Sequence, residues 1–204
     1  AFSVLRIREG ELQFLIEEVG PGTRRLAELE PGEELLLLGP LGNGFEPPRE
    51  HRRPLLVGGG VGIAPLAIWQ DELSGPTPTL LGFRDASHAA GAALLTNAMI
   101  ATDDGSVGHH GLVTELLAEE LDARAEEFEV YACGPPAMLE AVRLACAERD
   151  VPAQLALESG MACGFGACFG CVVPTRDGYI RLCLDGPVLD AEVLETAAIA
   201  GAGH

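Results

Sequence analysis

The sequence has no lysine, so its 13 basic residues are all arginines, and 31 acidic residues give a net charge of −18. Nucleic acids and anionic membrane surfaces both bind cationic patches on proteins. The charge therefore argues against a nucleic acid or a membrane surface as the partner, and it favours solubility.

Long hydrophobic runs and an export signal are also missing. The longest apolar stretches, such as Leu35 to Leu38, are far shorter than the roughly 18 to 20 residues of a membrane-spanning helix. The start, AFSVLRIREG, alternates and carries charge, unlike a signal peptide. We therefore expect a cytoplasmic protein in which the six cysteines are thiols rather than structural disulfides.

Residues 1–49 have the alternating pattern of antiparallel strands and form the first predicted domain. Glycine and proline separate three such runs, as in a small barrel: FSVLRI, ELQFLIEEV and EELLLLGPL. Three strands cannot close a barrel, so we expect either further strands before Ala1 or a partner that covers the open edge.

Residues 50–158 change to short apolar strands that alternate with helices. The strand-like runs are PLLVGGG, TPTLLGF, AMIAT, FEVYACG and AQLALE. The clearest helical runs are IAPLAIWQDEL, GLVTELLAEEL and PPAMLEAVRLACAER. This alternation predicts an α/β domain with a five-stranded, doubly wound parallel sheet. Residues 159–204 show little periodicity and end in a small-residue tail that we expect to be flexible. A metal centre would order such a segment.

Two glycine turns follow predicted strands and are candidate nucleotide-binding sites. The first, VGGGVGIAP, has the opening of G-x-G-x-x-G, and a proline at its helix start replaces the third glycine. A plain strand–turn–helix junction would explain it equally well. The second is YACGPPAML, whose cysteine could also be a small buried residue. The candidate residues are Gly59, Gly60, Gly62, Ala64, Pro65, Cys133, Gly134, Pro135 and Met138.

Asp85, about 20 residues beyond the first glycine turn, could bind a ribose hydroxyl. It would repel a 2′-phosphate, which favours NAD over NADP, although Arg84 adjoins it. We interpret Cys146, in the middle of a helix, as a core residue. His109 and His110 are more typical of a solvated loop than of a site. No arrangement of residues supports hydrolysis.

Four cysteines form the most specific pattern, Cys163-x4-Cys168-x2-Cys171-x11-Cys183. Plant-type [2Fe–2S] proteins use the spacing C-x4-C-x2-C followed by a distant cysteine. Small residues between these cysteines would let backbone N–H groups approach the sulfides. The alternative is a redox-inert scaffold with a structural zinc. Structural zinc usually takes two C-x2-C pairs, and the sequence has one.

The whole sequence resembles the ferredoxin–NADP reductase superfamily. Within it, the likeness is greatest to the electron-transfer subunits of class 1B dihydroorotate dehydrogenases, and it runs from Phe2 to about Leu194. The motifs that carry the resemblance are GPGTRRLAELEPGEELLLLGPLGNGF, VGGGVGIAPL, DDGSVGHHGLVTELL, ACGPPAML, ESGMACGFGACFGCVV and CLDGPVLDAEVL.

The resemblance implies an FAD on the barrel. The family has an R-x-[YF]-S motif, whose last three positions match Ala1-Phe2-Ser3, so its arginine is expected just before Ala1. The other implied flavin contacts are Leu15, Ile16, Glu17, Gly22 and Thr23. Without that arginine we expect the 204-residue chain to bind FAD substoichiometrically.

The resemblance also implies a partner and a route for electrons. In that family an FMN-containing catalytic subunit oxidises dihydroorotate in pyrimidine biosynthesis, within a heterotetramer of two copies of each subunit. Electrons then pass through the [2Fe–2S] cluster and FAD to NAD⁺. An alternative in the same class is a flavin/iron–sulfur reductase subunit of a hydrogenase or of a ferredoxin-dependent transhydrogenase.

Overall fold

A computed structural model describes residues 1–199 and shows three β-sheets and four α-helices. The strands are β1 Val4–Arg8, β2 Glu11–Phe14, β3 Arg53–Gly59, β4 Thr79–Phe83, β5 Ala98–Thr102, β6 His109–His110, β7 Phe128–Cys133, β8 Ala153–Ala156, β9 Val172–Thr175, β10 Gly178–Arg181 and β11 Val188–Asp190. The α-helices are α1 Pro21–Ala27, α2 Ile63–Glu72, α3 Val113–Arg124 and α4 Pro136–Glu148.

The largest sheet has the order β11-β8-β7-β3-β4-β5-β6. All five strands predicted for the nucleotide-binding zone are present and parallel, but the sheet has seven strands within the described residues rather than five. The prediction missed β11, which pairs antiparallel with β8, and β6, which pairs with β5. His109 and His110 therefore form a short edge strand and not the solvated loop that we expected.

Alternating residues of the sheet enter two separate cores, as the doubly wound arrangement requires. Leu55 and Val57 of β3 point to the face covered by α3 and α4, whereas Leu56 points to the face covered by α2. Both faces are apolar because parallel strands are covered by helices on each side. The chain leaves β3 in one direction through β4 and β5, then returns to the other side of β3 as β7. The strand order therefore reverses between β3 and β7.

The amino-terminal zone differs most from expectation. Its first two predicted strands form the pair β1–β2, but the third run, EELLLLGPL, is not a strand. Leu35, Leu36, Leu37 and Leu38 are all exposed, and no described strand pairs with them. A strand needs a neighbour for its backbone hydrogen bonds, and here that neighbour is missing within residues 1–199. The predicted turn GPGTRR forms the short helix α1 instead.

The pair β1–β2 is held against the outer face of α2. Leu5 is buried in the same core as Ile63 and Leu66. The guanidinium of Arg6 donates to Asp71 at 2.7 Å and to the carbonyl of Leu94 at 2.7 Å. The first zone is therefore fixed to the nucleotide-binding zone by apolar packing and by one partly buried ion pair.

The carboxyl-terminal zone has more structure than its sequence predicts. β9 and β10 form a hairpin, and Val173 and Leu182 contribute to the core beneath α3 and α4. Of the tail expected to be flexible, Ala197 and Ile199 are buried, and the Ala197 N–H donates to Glu140 at 2.6 Å. Residues 200–204 of that tail lie outside the described residues.

A connecting segment, Leu41–Arg49, crosses the α2 side of the sheet and is called the strap below. Phe45 packs with Trp69 and Tyr131, with ring centroids 6.1 and 5.5 Å away. The hydroxyl of Tyr131 donates to the carbonyl of Glu46 at 3.0 Å. None of the helices in the described part of the chain is long and apolar enough to cross a membrane.

The two tyrosines of the chain allow a matched test of this packing. Tyr131→Phe removes the hydrogen bond to the strap and leaves the carbonyl of Glu46 with one partner fewer. We expect it to lower the free energy of unfolding by about 1 kcal/mol. Tyr179 is 78% exposed, so Tyr179→Phe should change the free energy of unfolding by less than about 0.5 kcal/mol. Urea unfolding of both variants measures the difference, and equal values would contradict the assigned role of the Tyr131 hydroxyl.

Candidate functional site

The two glycine turns predicted from the sequence meet where the strand order reverses. Gly58 of β3 lies beside Cys133 of β7, so the turns that follow them leave the same edge of the sheet. In open parallel sheets, ligands bind in the crevice outside the carboxyl ends of the strands at this point. The structure therefore brings Gly59, Gly60, Gly62, Gly134 and Pro135 to one crevice.

The glycines of the first turn serve different purposes. A Cβ on Gly62 would lie 2.5 Å from the carbonyl oxygen of Cys133, so this glycine lets the two turns touch. A Cβ on Gly59 would lie 2.6 Å from the sulfur of Met138. Gly60 has φ +53°, and nothing lies within 4 Å of its Cβ position. Among these three glycines, Gly60 is the one whose backbone faces open space, where an approaching pyrophosphate could lie.

The helix that follows this turn offers backbone groups rather than side chains. Ala64 is buried in the core on the α2 side of the sheet, so its side chain faces away from the crevice. Pro65 is in the first turn of α2, where its missing N–H costs no helical hydrogen bond. Any contact from Ala64 to a nucleotide would therefore come from its backbone.

Asp85 lies just beyond β4 and is strongly ionised. Its Oδ1 accepts hydrogen bonds from the backbone N–H groups of Ser87 and His88 and from the Ser87 hydroxyl. The same oxygen is 2.9 Å from His88 Nδ1. The Ser87 and His88 hydrogen bonds hold the pKa of this carboxyl well below its usual range. Oδ2 accepts no hydrogen bond from the described residues, so one oxygen stays available for a ribose hydroxyl.

Cys133 closes the crevice at the end of β7. Burial, and secondarily the charge of Glu158, raise the pKa of its thiol to about 12. The thiol is therefore neutral at physiological pH and is not a nucleophile. Cys133 pairs with Ala156 of β8, so the cysteine-rich segment, which begins at Glu158, starts beside the crevice. Cys146 is buried in α4 among apolar side chains, as the sequence predicted.

The predicted flavin contacts cluster around one end of the β1–β2 pair. Val4 pairs with Phe14, so Phe2 and Ser3 lie at the same end as Leu15, Ile16 and Glu17. Phe2 is 50% exposed and Ile16 is 39% exposed. These side chains leave apolar surface open at this end, as a bound flavin ring would require.

Gly22 and Thr23 lie in the first turn of α1. Nothing lies within 4 Å of the Cβ position of Gly22, so a phosphate could approach its backbone. The hydroxyl of Thr23 accepts from the N–H groups of Val19 and Gly20, at 2.9 and 3.0 Å. Thr23 therefore shapes the turn through its own hydrogen bonds, a role that the motif alone did not indicate.

The backbone brings the four clustered cysteines together. Cys163, Cys168 and Cys171 share one loop, and the N–H of Leu182, the neighbour of Cys183, donates to the carbonyl of Cys171 at 3.1 Å. Within residues 1–199, no three Cys, His, Asp or Glu side chains stand in the geometry of a bound metal ion. The structure thus gathers the four predicted ligands at one place without arranging them around a common centre.

The environment of Cys163 suits a thiolate ligand. N–H groups of Cys168, Phe165 and Ala167 donate hydrogen bonds to its sulfur and lower the pKa of its thiol to about 6. By contrast, burial raises the pKa of the Cys183 thiol. Iron–sulfur clusters take thiolate ligands, and hydrogen bonds to the sulfurs tune their potentials. The sulfur donor set and the inward N–H groups therefore fit a [2Fe–2S] cluster.

The loop between the first two cysteines has no room for side chains at its glycines. Gly164 has φ +76°, and a Cβ there would lie 2.9 Å from Leu41 of the strap. Gly166 has φ +80°, and its Cβ would lie 2.4 Å from Leu184. Left-handed backbone and close neighbours both require glycine at these positions. This agrees with the prediction that small residues keep the loop slim.

Arg181 is a residue that the sequence did not single out. Its guanidinium donates to the carbonyl of Gly166 at 3.0 Å and lies 5.3 Å from the ring centroid of Phe169. It therefore ties the hairpin β9–β10 to the cysteine loop. The 11 residues between Cys171 and Cys183 could have indicated such a contact. This segment must bring the chain back to the cysteine loop, and it contains Arg181.

One surface cavity is remote from this chemistry. It measures about 310 Å³ and lies at the opposite, amino-terminal edge of the sheet, between Arg53, Met99, Arg124 and Phe128. Ligands of open parallel sheets bind at the carboxyl edge. We therefore place the candidate site at the glycine turns and the cysteine loop rather than in this cavity.

Two family models match the chain over these elements. Residues 158–195 match the iron–sulfur cluster binding domain of dihydroorotate dehydrogenase B. Residues 84–144 match the oxidoreductase NAD-binding domain. The first match includes all four clustered cysteines, and it favours a [2Fe–2S] cluster over the zinc alternative.

Solved structures define the class of protein to which this fold belongs. The structure of an NADH-dependent reduced ferredoxin–NADP oxidoreductase, studied for flavin-based electron bifurcation, aligns with a TM-score of 0.77 at 29% identity, covering 96% of this chain and 78% of that one. The ferredoxin reductase of carbazole 1,9a-dioxygenase aligns over 74% of this chain and 51% of that one, with a TM-score of 0.59 at 22% identity, and shows the fold alone. The fold is that of the ferredoxin reductases.

Curated relatives identify the family within this class. The dihydroorotate dehydrogenase B (NAD⁺) electron transfer subunit of Caldanaerobacter subterraneus subsp. tengcongensis is 39% identical over 197 residues, which are 94% of this chain and 78% of that protein. The subunit of the same name from Geobacillus sp. (strain WCH70) is 42% identical over 193 residues, 89% of this chain and 73% of that protein. The chain belongs to the family of dihydroorotate dehydrogenase B electron transfer subunits.

The cysteine cluster predicts a clear analytical result. The purified protein should contain about two iron atoms and two labile sulfides per chain. Replacing Cys163, Cys168, Cys171 or Cys183 by Ser should remove most of both, whereas Cys146→Ala should leave them in place. Iron and sulfide analysis with a visible spectrum measures this. A full cluster that survives two of the four replacements together would refute the assignment.

Gly60 offers a sharper test of the nucleotide crevice than Gly62. Any side chain at position 62 would push the two turns apart, whereas Gly60→Ala adds a methyl group to open space beside the expected pyrophosphate. We expect the KM for NADH to rise about fivefold, the equivalent of roughly 1 kcal/mol, with iron content unchanged.

Gly75→Ala is the matched control for this variant. Gly75 also has a positive φ, +87°, and open space at its Cβ position, but it lies at the other edge of the sheet. Both variants carry a similar backbone strain, so a similar loss of thermal stability is expected. Steady-state kinetics should show the rise in KM for Gly60→Ala only. A shared rise would mean that strain, and not contact with the nucleotide, is the cause.

Proposed function

We propose that this chain is the subunit that passes electrons from a catalytic dihydroorotate dehydrogenase subunit to NAD⁺, through a [2Fe–2S] cluster and FAD. The observation that carries the proposal is that the glycine turns and the cysteine loop adjoin each other in one molecule. The glycine turns lie at the point of strand reversal, and Cys133 of the second turn pairs with Ala156, two residues before the cysteine-rich segment begins at Glu158. The family assignment gives these parts their redox partners.

Each zone has a defined task in this proposal. Residues 1–49 hold the flavin, with contacts from Phe2, Ser3, Leu15, Ile16, Glu17, Gly22 and Thr23. Residues 50–158 bind NAD through Gly59, Gly60, Gly62, Ala64, Pro65, Asp85, Cys133, Gly134, Pro135 and Met138. Residues 159–204 hold the cluster through their four cysteines.

The chain's own residues bind and orient rather than exchange protons. Oxidation of dihydroorotate releases two electrons and two protons, and NAD⁺ accepts both electrons with one proton as hydride, leaving one proton for solvent. A bound cluster supplies one-electron transfer, and a bound flavin supplies the change from single electrons to hydride. The Cys133 thiol is neutral and Gly60 offers its open backbone, so at these two residues the protein's contribution is positioning.

Exposed aromatic side chains beside the cysteine loop support docking of the catalytic partner there. Phe165 and Phe169 are 62% and 64% exposed, and both lie between cluster cysteines. Exposed aromatic residues are enriched in protein interfaces. Short distances favour electron transfer, so a partner that covers these residues would be well placed. We propose a heterotetramer of two copies of each subunit, in the cytoplasm, with no nucleic acid or membrane involved.

The proposal is tested by reconstitution with a catalytic dihydroorotate dehydrogenase subunit. The two proteins together should reduce NAD⁺ when dihydroorotate is added, and either alone should not. NADH absorbance measures the rate, and NADP⁺ should be the poorer acceptor because Asp85 would repel its 2′-phosphate. The likeness to an NADH-dependent reduced ferredoxin–NADP oxidoreductase gives the alternative. Activity with reduced ferredoxin and none with the catalytic subunit would favour that function.

A further inference from the structure

Glu129 is a buried carboxylate that the proposed electron route does not use. It is 1% exposed, and it is the one buried Asp or Glu in the described part of the chain. It lies on β7 and, like Tyr131 two residues later, points to the α2 side of the sheet. Burying a carboxylate is costly unless its oxygens are hydrogen-bonded, so its partners indicate what it is for.

One partner of Glu129 belongs to the strap, and the other, Gln154 of β8, is itself bonded to the strap. Glu129 Oε2 accepts from the backbone N–H of Arg49 at 2.6 Å, and Oε1 accepts from Gln154 Nε2 at 3.0 Å. The Gln154 amide then accepts from the N–H of Glu46 at 2.8 Å and donates to the carbonyl of Glu46 at 3.2 Å. Glu129 and Gln154 therefore fix both ends of the segment from Glu46 to Arg49.

The other end of the strap reaches the cysteine loop. Asn43 donates its N–H to the carbonyl of Gly186 at 2.5 Å, and its side chain donates to the carbonyls of Leu184 and Asp185 at 3.2 and 3.3 Å. Leu41 packs where a side chain on Gly164 would be, immediately after Cys163. The strap is thus one continuous connection from the centre of the sheet to the cysteine loop.

We propose that Glu129 and Gln154 are positioning residues for electron transfer, because they hold the strap that keeps the cysteine loop in place relative to the nucleotide crevice. This inference rests on the proposed function. Apolar packing is non-directional, whereas hydrogen bonds to three backbone groups fix where the strap lies along the sheet. The rate of electron transfer falls with the distance between redox groups, which gives this precision a purpose.

Glu129→Gln is the primary test because it changes one acceptor oxygen into a donor. Whichever way the new amide turns, a donor then faces either Gln154 Nε2 or the Arg49 N–H. We expect amide hydrogen exchange to become roughly ten- to hundred-fold faster in residues 43–49 and in the cysteine loop 163–171. In the holoprotein, reduction of the cluster by NADH should slow about tenfold, while reduction of a small dye by NADH stays within about twofold.

A variant in which Glu129 and Gln154 are swapped tests the hydrogen-bond network between them. In the double variant Glu129→Gln/Gln154→Glu, the amide at 129 can donate to the carboxylate at 154, which still accepts from the Glu46 N–H. We expect the double variant to recover most of the exchange protection and of the cluster reduction rate. If the two residues merely supported the fold, the losses of exchange protection and of cluster reduction rate in the two single variants would add up in the double variant.

Two further variants complete the test: one is a matched control, and the other keeps the inference testable if Glu129→Gln does not fold. Glu127→Gln removes the same charge just before β7, but from an exposed ion pair with Arg53, and should change neither readout. Asn43→Ala removes the exposed side-chain contacts at the far end of the strap, where loss of the fold is not expected. It should speed exchange in the cysteine loop and slow cluster reduction, even if Glu129→Gln does not fold.

The outcomes separate this inference from the proposed function. If Glu129→Gln and Asn43→Ala leave both exchange and cluster reduction unchanged in a protein that holds its cluster, the positioning role is wrong and the electron route stands. A wild-type protein without iron, or without NADH-dependent cluster reduction, would overturn the route itself. Faster exchange with an unchanged rate of cluster reduction would overturn the positioning role and leave a purely structural strap.

Discussion

The close approach of two backbone turns is the constraint on which the site depends. Gly62 lies so near the carbonyl of Cys133 that no side chain fits between them. This contact brings the ends of β3 and β7 to a common crevice, although about 70 residues separate them along the chain. This contact also positions the open backbone of Gly60, the Met138 sulfur and the beginning of the cysteine segment. Glycine is therefore needed here to join two turns as well as to admit a ligand.

The sequence predicted the parallel sheet well because buried strands carry a strong local signal. Runs such as PLLVGGG and FEVYACG are mostly apolar and end in glycine, which indicates both the strand and its exit. The cysteine spacing was equally informative, since ligand spacing is a local property. The same holds for α2, α3 and α4, whose helical patterns are long enough to distinguish from strands.

The features that the sequence did not reveal depend on partners far along the chain. EELLLLGPL has the pattern of a strand but has no described neighbour with which to pair. Val188 to Asp190 have little strand pattern, yet they pair with β8 because the chain returns there. Glu129 and Gln154 would both be assigned to solvent by residue type. Their burial follows from the strap that covers them, which no local pattern predicts.

The strap also sets an order of events during synthesis. Asn43 bonds to the carbonyls of Leu184 and Asp185, 141 and 142 residues later in the chain. Contacts of such sequence separation form late in folding. The ion pair of Arg6 with Asp71 spans only 65 residues, so the β1–β2 pair can dock on α2 before the later strands have been translated. The cysteine loop meets the strap only after residues 184–186 have been made, so the metal ligands reach their place later than the amino-terminal strands do.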